Sequence, residues 1–461
     1  MKRTRDISWF AVIIASLIPA LAQFMWLIYN TYVPLWLQAG NPGFQVPEGM
    51  VLRGFGYGAF VTGIILTVDN IASLFISPVV GMMSDGTRSR FGRRKPWILF
   101  GTPLAVVAFI LIPVFALRIP AELSGQTSSL VPYFLPFFLA LVLLLVPLAI
   151  VNVPSLTIVF DISPSRHRSA VNAVAMAVGG ITSVAGAIAM GILFDINPIM
   201  PFLVGGLLTA LIILLTALFI KEPERPYGQE QGERSDLSVF ALGRVFKSLT
   251  VLPRESLKSL VLLLLSVVLS YSAFSQLQAF LSSYNVSTLG MDPGAAGMVF
   301  AVAGGAYILG TLPGGLLPKV LRRKPTYLIG LLGYALICIL TFLFGTPTLI
   351  WILVGLGGFV WAFCNVNMDV MVYDSAPSDT LLGTYGGLLA FAKTLGFILG
   401  PVVGGFAVQT FGNDYRNIWL SMLLFLVIAV VVLLPVSKGE VRPTEQSPQP
   451  DAQSGQAPSG S

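Results

Sequence analysis

The chain has 461 residues, of which 55% are hydrophobic and only 10% charged, with a mean hydropathy of +0.83. Soluble domains carry about 25% charged residues, so this composition excludes a soluble globular protein and requires lipid as the solvent. The net charge of +6 comes with no soluble basic stripe interleaved with aromatics, which excludes nucleic-acid binding. Cys338 and Cys364 both fall inside apolar runs, which argues against a disulfide framework or a metal site.

A helix needs about 20 residues to cross a hydrocarbon core of roughly 30 Å. Twelve apolar runs of about that length are predicted, at 9–37, 57–83, 97–117, 132–157, 169–192, 201–220, 258–281, 295–317, 326–344, 348–372, 382–409 and 416–435. The first is too long for a signal peptide, lacks a small-residue cleavage site and carries Trp9, Trp26, Tyr29 and Tyr32, so it reads as a retained helix. With both termini placed in the cytoplasm, 23 of the 27 basic residues lie inside, Arg53, Arg118 and Arg416 lie outside, and Lys393 is left within a helix. That asymmetry is the positive-inside pattern, and it accounts for the net charge.

The predicted class is therefore an all-α integral membrane protein with twelve transmembrane helices in two six-helix halves, multi-pass in a cell membrane, with both termini cytoplasmic. The N-terminal half takes residues 1–220 and the C-terminal half 258–436. Between them, residues 221–257 form a charged linker whose second part, 237–249, has near-helical apolar spacing and suits a surface helix. Residues 437–461, rich in Pro, Gln, Ser and Gly, are expected to be disordered. Short repeats support two related halves. Arg93, Arg94, Lys95 and Pro96 recur as Arg322, Arg323, Lys324 and Pro325, while Asn152, Asp161 and Pro164 recur as Asn365, Asp374 and Pro377.

Residues 81–96, GMMSDGTRSRFGRRKP, join Gly81 in the last turn of the second helix to Asp85 at the membrane exit and to Arg88, Arg90, Arg93 and Arg94. Gly81 permits close helix approach, and Asp85 can pair with the arginines or with a helix N-terminus. Asp161, followed by Arg166 and Arg168, and its counterpart Asp374 complete a ring of charge expected to act as a cytoplasmic gate. Topological retention alone is the blander reading. The segment resembles the loop-two signature of the major facilitator superfamily. Within that group, SDGTRSRFGRRKPWI is similar to the corresponding loop of plant sucrose transporters and of the glycoside-pentoside-hexuronide cation symporters. That resemblance implies the major facilitator fold and transport of a sugar or glycoside by cation symport through alternating access. Two departures qualify it. Leu156 stands where sucrose transporters have an arginine, and Ser73 and Ser77 stand where melibiose-type symporters have aspartates for sodium.

One acid remains on the second helix. Asp69 lies near mid-membrane on the face of Ser73 and Ser77, where a charge costs about 2.5 to 3.5 kcal/mol. Lys393 lies in the middle of the eleventh helix, in GLLAFAKTLGF, which resembles the lysine segment of the melibiose-type symporters. The resemblance brings the second and eleventh helices together and implies an Asp69 to Lys393 coupling pair. A static salt bridge or a snorkelling lysine is the alternative. Asp369 ranks below Asp69 and is equally readable as part of the cytoplasmic ring.

Sugars require many hydrogen-bonding groups and an aromatic platform. Candidate contacts are Gln23, Trp26, Tyr29 and Asn30 on the first helix, Asn70 on the second, Tyr271, Gln276 and Gln278 on the seventh, and Trp361, Asn365 and Asn367 on the tenth. Each amide reads equally as a ligand or an interhelical clamp. No Walker-type phosphate loop, metal cluster or nucleophile constellation is present, so no cofactor and no enzymatic activity are implied. His167, in a loop, reads as solvated. The expected partners are a small molecule, a sugar moving with H+ rather than Na+, and the lipid bilayer; a monomer is expected. The competing reading is an exporter of drugs or metabolites in the same superfamily.

Overall fold

The structure, a computed structural model, describes residues 8–164, 167–222, 254–376, 381–437 and 439. Arg166, Pro377, nearly all of the linker with its expected surface helix, and the tail beyond 439 lie outside the described residues.

Among the described residues, twelve long helices alternate in direction: α1 Trp9–Gln38, α2 Ala59–Gly86, α3 Lys95–Ala116, α4 Val131–Asp161, α5 Arg168–Ile196, α6 Met200–Phe219, α7 Arg254–Ser287, α8 Pro293–Leu316, α9 Arg323–Phe344, α10 Leu349–Asp374, α11 Leu382–Thr410 and α12 Asn417–Leu433. Eleven are long and apolar enough to cross a membrane, and α12 is a shorter helix of the same character. Hydrocarbon offers no hydrogen bonds, so a spanning segment must satisfy its own backbone, and an apolar run of this length is driven into helix. Prolines sit within six of these helices, three of them in α4 at Pro136, Pro147 and Pro154, as the shelter of neighbouring helices allows.

α1–α6 pack on one another, as do α7–α12. The two groups meet along α2 against α11, α5 against α8, and α1 against α7. One end of the bundle, here the basic end, carries the loops around residues 87–94, 162–164 and 317–322. At the opposite end, loops of the first half lock together through Gly40 and Gly125, both at positive φ, where each backbone occupies the space a side chain on the other would need.

The halves are closed at that opposite end. The Gln45 backbone N–H donates to Ser287 Oγ at 3.0 Å, and Phe44 meets Tyr415 edge to face with ring centroids 5.7 Å apart. A Cβ at Gly63 would overlap the carbonyl of Pro401, and one at Gly405 the carbonyl of Ala59, so α2 and α11 cross backbone to backbone. Along α2, described contacts with the other half run from Gly58 to Asn70; along α11 they run from Phe397 to Gln409. Further along α2, Phe75, Val79 and Met83 are exposed. Among the described residues, the contacts between the halves named here lie from mid-helix toward that opposite end.

Within the second half, a Cβ at Gly330 on α9 would come to 2.9 Å from the Cys364 amide nitrogen and 3.0 Å from the Val360 carbonyl oxygen on α10. Overpacking of this kind costs ~1–3 kcal/mol. Gly330→Ala is expected to lower the melting temperature of the purified protein by several degrees. Gly387→Ala, where a Cβ meets open space, is expected to leave it unchanged or raise it through helix propensity; thermal unfolding in detergent checks both.

Candidate functional site

Lys393 on α11 pairs with Asp369 on α10, Nζ to Oδ2 at 2.7 Å, and lies 5.2 Å from the centre of the Tyr271 ring. The expected partner, Asp69, does not contact it. Helix geometry explains the correction. Every Cα–Cβ bond leans toward its helix N-terminus. The N-terminus of α11 is at the basic end, so Lys393 reaches toward that end. Asp69 is on α2, near its start at the opposite end, and leans further toward that end, so it lies out of the lysine's reach. Asp369, on α10 with its C-terminus at the basic end, leans inward to meet the lysine. The two side chains remain 24% and 31% exposed, so water reaches the pair.

Asp69 is 3% exposed. Its Oδ1 accepts from Asn70 Nδ2 at 2.8 Å, and among the described residues no cation lies within ion-pair distance. Asn70 also lines a cleft between the halves with Trp26 and Asn30 of α1, Gln278 of α7, and Phe397 and Pro401 of α11. Phe397 packs against Tyr271 and Phe274, with ring centroids at 5.4 and 6.4 Å. Phe274 stacks on Trp361 at 4.6 Å, almost parallel, and Asn365 Nδ2 donates to Tyr271 Oη at 3.3 Å. Neighbouring residues thus link the buried acid of the first half, through Asn70 and Phe397, to the aromatic group and the ion pair of the second.

The remaining candidates fall elsewhere. Asn367 donates to the carbonyls of Gly314 on α8, at 3.0 Å, and of Phe363, at 2.8 Å; it is a clamp. Gln276 is fully buried, donates to Ser272 O at 3.3 Å and fills the space beside Gly404. Gln23 is exposed. Tyr29 is buried with a hydroxyl that finds no partner among the described residues. Phe274 and Phe397 were not singled out from sequence, although Phe274 follows Tyr271 by the three-residue spacing that puts both on one helix face.

At the basic end, Arg93 holds Asp161 in a fork, with nitrogen–oxygen distances of 3.0 and 2.7 Å. Arg94 bridges Asp161 at 3.2 Å and also bonds Asp85 and Ser84. Burial pulls the Arg93 guanidinium down, but the Asp161 hydrogen bond and the charges of Asp161, Asp85 and Glu222 outweigh it, and its pKa ends above the usual arginine value. Glu222 was legible only as a linker charge. Its carboxylate accepts the backbone N–H groups of Arg93, Arg94 and Lys95 at 2.6 to 3.2 Å, capping the N-terminus of α3. In the second half Arg323 pairs with Asp374. Arg88, Arg90 and Arg168 are exposed, Arg90 lying over Phe91. His167 is half-buried at the N-cap of α5, a correction to its solvated reading. At Gly81 a Cβ would meet Val153 Cγ1 of α4 at 3.7 Å, an ordinary van der Waals contact.

A model of the Major Facilitator Superfamily matches residues 15–304 and 263–458. The chain belongs to that superfamily. It is thus a multi-span membrane transporter and not an enzyme. Among solved structures, a mutant of the nucleoside transporter NupG superposes with a TM-score of 0.70 at 15% identity, over 93% of this chain and 100% of that one. An inward-facing bacterial homologue of the human lysosomal transporter Spinster gives 0.68 at 15%, over 94% and 98%. A D-xylose-proton symporter gives 0.61 at 14%, over 94% and 98%. Curated relatives match only locally. An uncharacterised symporter of Synechocystis sp. is 42% identical over 64 residues, 13% of this chain and 12% of its own. The sodium-dependent lysophosphatidylcholine symporter 1 of Mus musculus is 46% identical over 50 residues, 11% of this chain and 9% of its own. The chain spans about a tenth of the length of these relatives in the match.

Removing Lys393 strands the Asp369 carboxylate, whose Oδ1 is already buried without a partner. Lys393→Ala and Asp369→Ala are each expected to cost this facilitator about 1–3 kcal/mol, less than a fully buried pair because water reaches them. The double variant should lose less than the sum. Asp69→Asn breaks no ion pair and should leave stability nearly unchanged. Thermal melts of the four proteins measure the coupling.

Proposed function

We propose that the protein imports a sugar or glycoside by cation symport, with H+ as the coupling ion, working by alternating access with its basic end in the cytoplasm. The observation that carries this reading is Asp69, a buried acid without a cation, bonded to the same Asn70 that lines the cleft between the halves. An intramembrane acid in that position is costly while charged and is relieved by a proton. Asn30, Asn70 and Gln278 supply donors and acceptors for hydroxyls, and the Phe274–Trp361 stack with Tyr271 supplies an apolar face for a ring. The positive-inside asymmetry supports the orientation. The fold neighbour that is a xylose-proton symporter, and the loop resemblance to sugar symporters, support the substrate class.

On this reading Asp69 takes a proton from the outside when the opposite end is open, and substrate binding draws the halves together around the cleft. Rocking to the state described here exposes the cleft toward the basic end, where substrate and proton leave. Lys393 and Asp369 stay paired within the second half and keep a charged, hydrated wall opposite Asp69.

The test is uptake of labelled sucrose, maltose and xylose into proteoliposomes under an inward proton gradient, a sodium gradient or neither. Proton-driven accumulation of one of them is expected, with Asp69→Asn reducing accumulation at least tenfold while substrate exchange across the membrane persists. Sodium-driven uptake would replace the coupling ion. No flux of any glycoside under either gradient overturns the substrate reading and leaves export or an amphiphilic substrate.

A further inference from the structure

Two helix N-termini at the closed end lack a cap from their own half. The N-cap of α2 is Gly58, which has no side chain, and the N-cap of α8 is Asp292, whose side chain makes no capping bond. The first amides of a helix have no intrahelical acceptor, and they carry the positive end of the helix dipole. In both cases the acceptor comes from the opposite half. Asp195 of α5 accepts the Gly294 N–H of α8 at 3.1 Å. Gln409 of α11 accepts the Phe60 N–H of α2 through Oε1 at 3.4 Å and also lies in the space beside Gly58.

The two contacts are related by the internal repeat. Asp195 is the next-to-last residue of α5 and Gln409 the next-to-last of α11, while Gly294 is the second residue of α8 and Phe60 the second of α2. Each half thus lends the other a cap from the same position, one charged and one neutral. The backbone crossings beside them, Gly405 against Ala59 and Gly191 against Gly294, hold the helix ends close enough for the bonds to form.

We propose that Asp195 and Gln409 are paired latches that set how long this end stays closed: when the halves rock apart, both helix ends lose their caps together. Each latch is rim-exposed, so water can replace it. The pair biases the equilibrium without locking it. Asp195 faces Asp292 at the start of α8 and Tyr32 on α1. The Asp195 latch acts against the repulsion of Asp292, whereas the Gln409 latch is neutral.

The test measures a distance across the closed end and needs no substrate, so its outcome is separate from that of the transport assay. Glu122 in the first half and Thr348 in the second are exposed, and the native Cys338 and Cys364 are fully buried. Spin labels at Glu122→Cys and Thr348→Cys, read by pulsed dipolar spectroscopy in the otherwise intact chain, report the populations of closed and open ends. Removing one helix-end contact should shift the closed-to-open ratio roughly two- to fivefold. Asp195→Ala and Gln409→Ala are each expected to do so, and the double variant more than either. Asp414→Ala, removing an acid at the same end that bonds within its own half, is expected to leave the ratio unchanged. Asp195→Asn, which keeps an acceptor but no charge, should fall between wild type and Asp195→Ala, and carries the test if the alanine variant fails to fold. Unchanged distances in Gln409→Ala and in the Asp195 variants, or an equal shift in Asp414→Ala, overturn the proposal.

Discussion

Hydrocarbon solvates neither a backbone amide nor a charge, and most of this structure follows from that constraint. The backbone solves it by helix formation. Side chains solve it locally or across helices. Ser16, Thr31, Thr102, Thr209 and Thr216 each return their hydroxyl to a carbonyl four residues back. Asn367 joins α10 to α8, and Ser275 donates to Gly396 O of α11 at 3.0 Å. Lys393 and Asp369 meet this constraint by pairing with each other.

The duplicated RRKP segments show one solution used twice. Arg94 meets Asp161 at the end of α4, and its counterpart Arg323 meets Asp374 at the end of α10. Lys95 donates to the carbonyls of Ala217 and Ile220 at 3.1 and 2.7 Å, closing the C-terminus of α6. Lys324 donates to those of Leu434 and Val436 at 2.6 and 2.8 Å, closing α12. A cation at a helix C-terminus completes carbonyls that have no partner and opposes the negative end of the dipole. The repeat is therefore a device that ties the third, fourth and sixth helices of each half into one rigid unit.

The twelve helices were legible because length and apolarity alone decide a span in lipid. The repeats were legible as short matching segments at equivalent helices, and the acids that answer their arginines as members of a set kept at one spacing from its counterpart. Site pairing was harder. Asp69 and Lys393 lie on adjacent helices, yet Asp69 sits toward the closed end and leans further that way, whereas Asp369, near the basic end of α10, leans inward to meet Lys393. Whether an amide clamps or faces the cleft depends on which helix crosses behind it: Asn367 meets Gly314, while Asn365, two residues earlier, turns to Tyr271. Glu222 was hidden because a cap in space need not be near its helix in sequence.

The ion pairs described here share a property that bears on movement. Arg93 and Arg94 with Asp85 and Asp161, Arg323 with Asp374, and Lys393 with Asp369 each lie within one half. Breaking a desolvated charge pair on every cycle would add a large barrier, because each ion would wait unpaired in a poor solvent. The contacts between the halves are of a cheaper kind: glycine backbone crossings, aromatic edges, and single hydrogen bonds at the rim that water can replace. Two stiff units joined by weak, replaceable contacts can rock without passing through a state that buries an unpaired charge. Asp69 stands at this junction without a cation of its own, and so its charge is the one left to be settled by what enters the cleft.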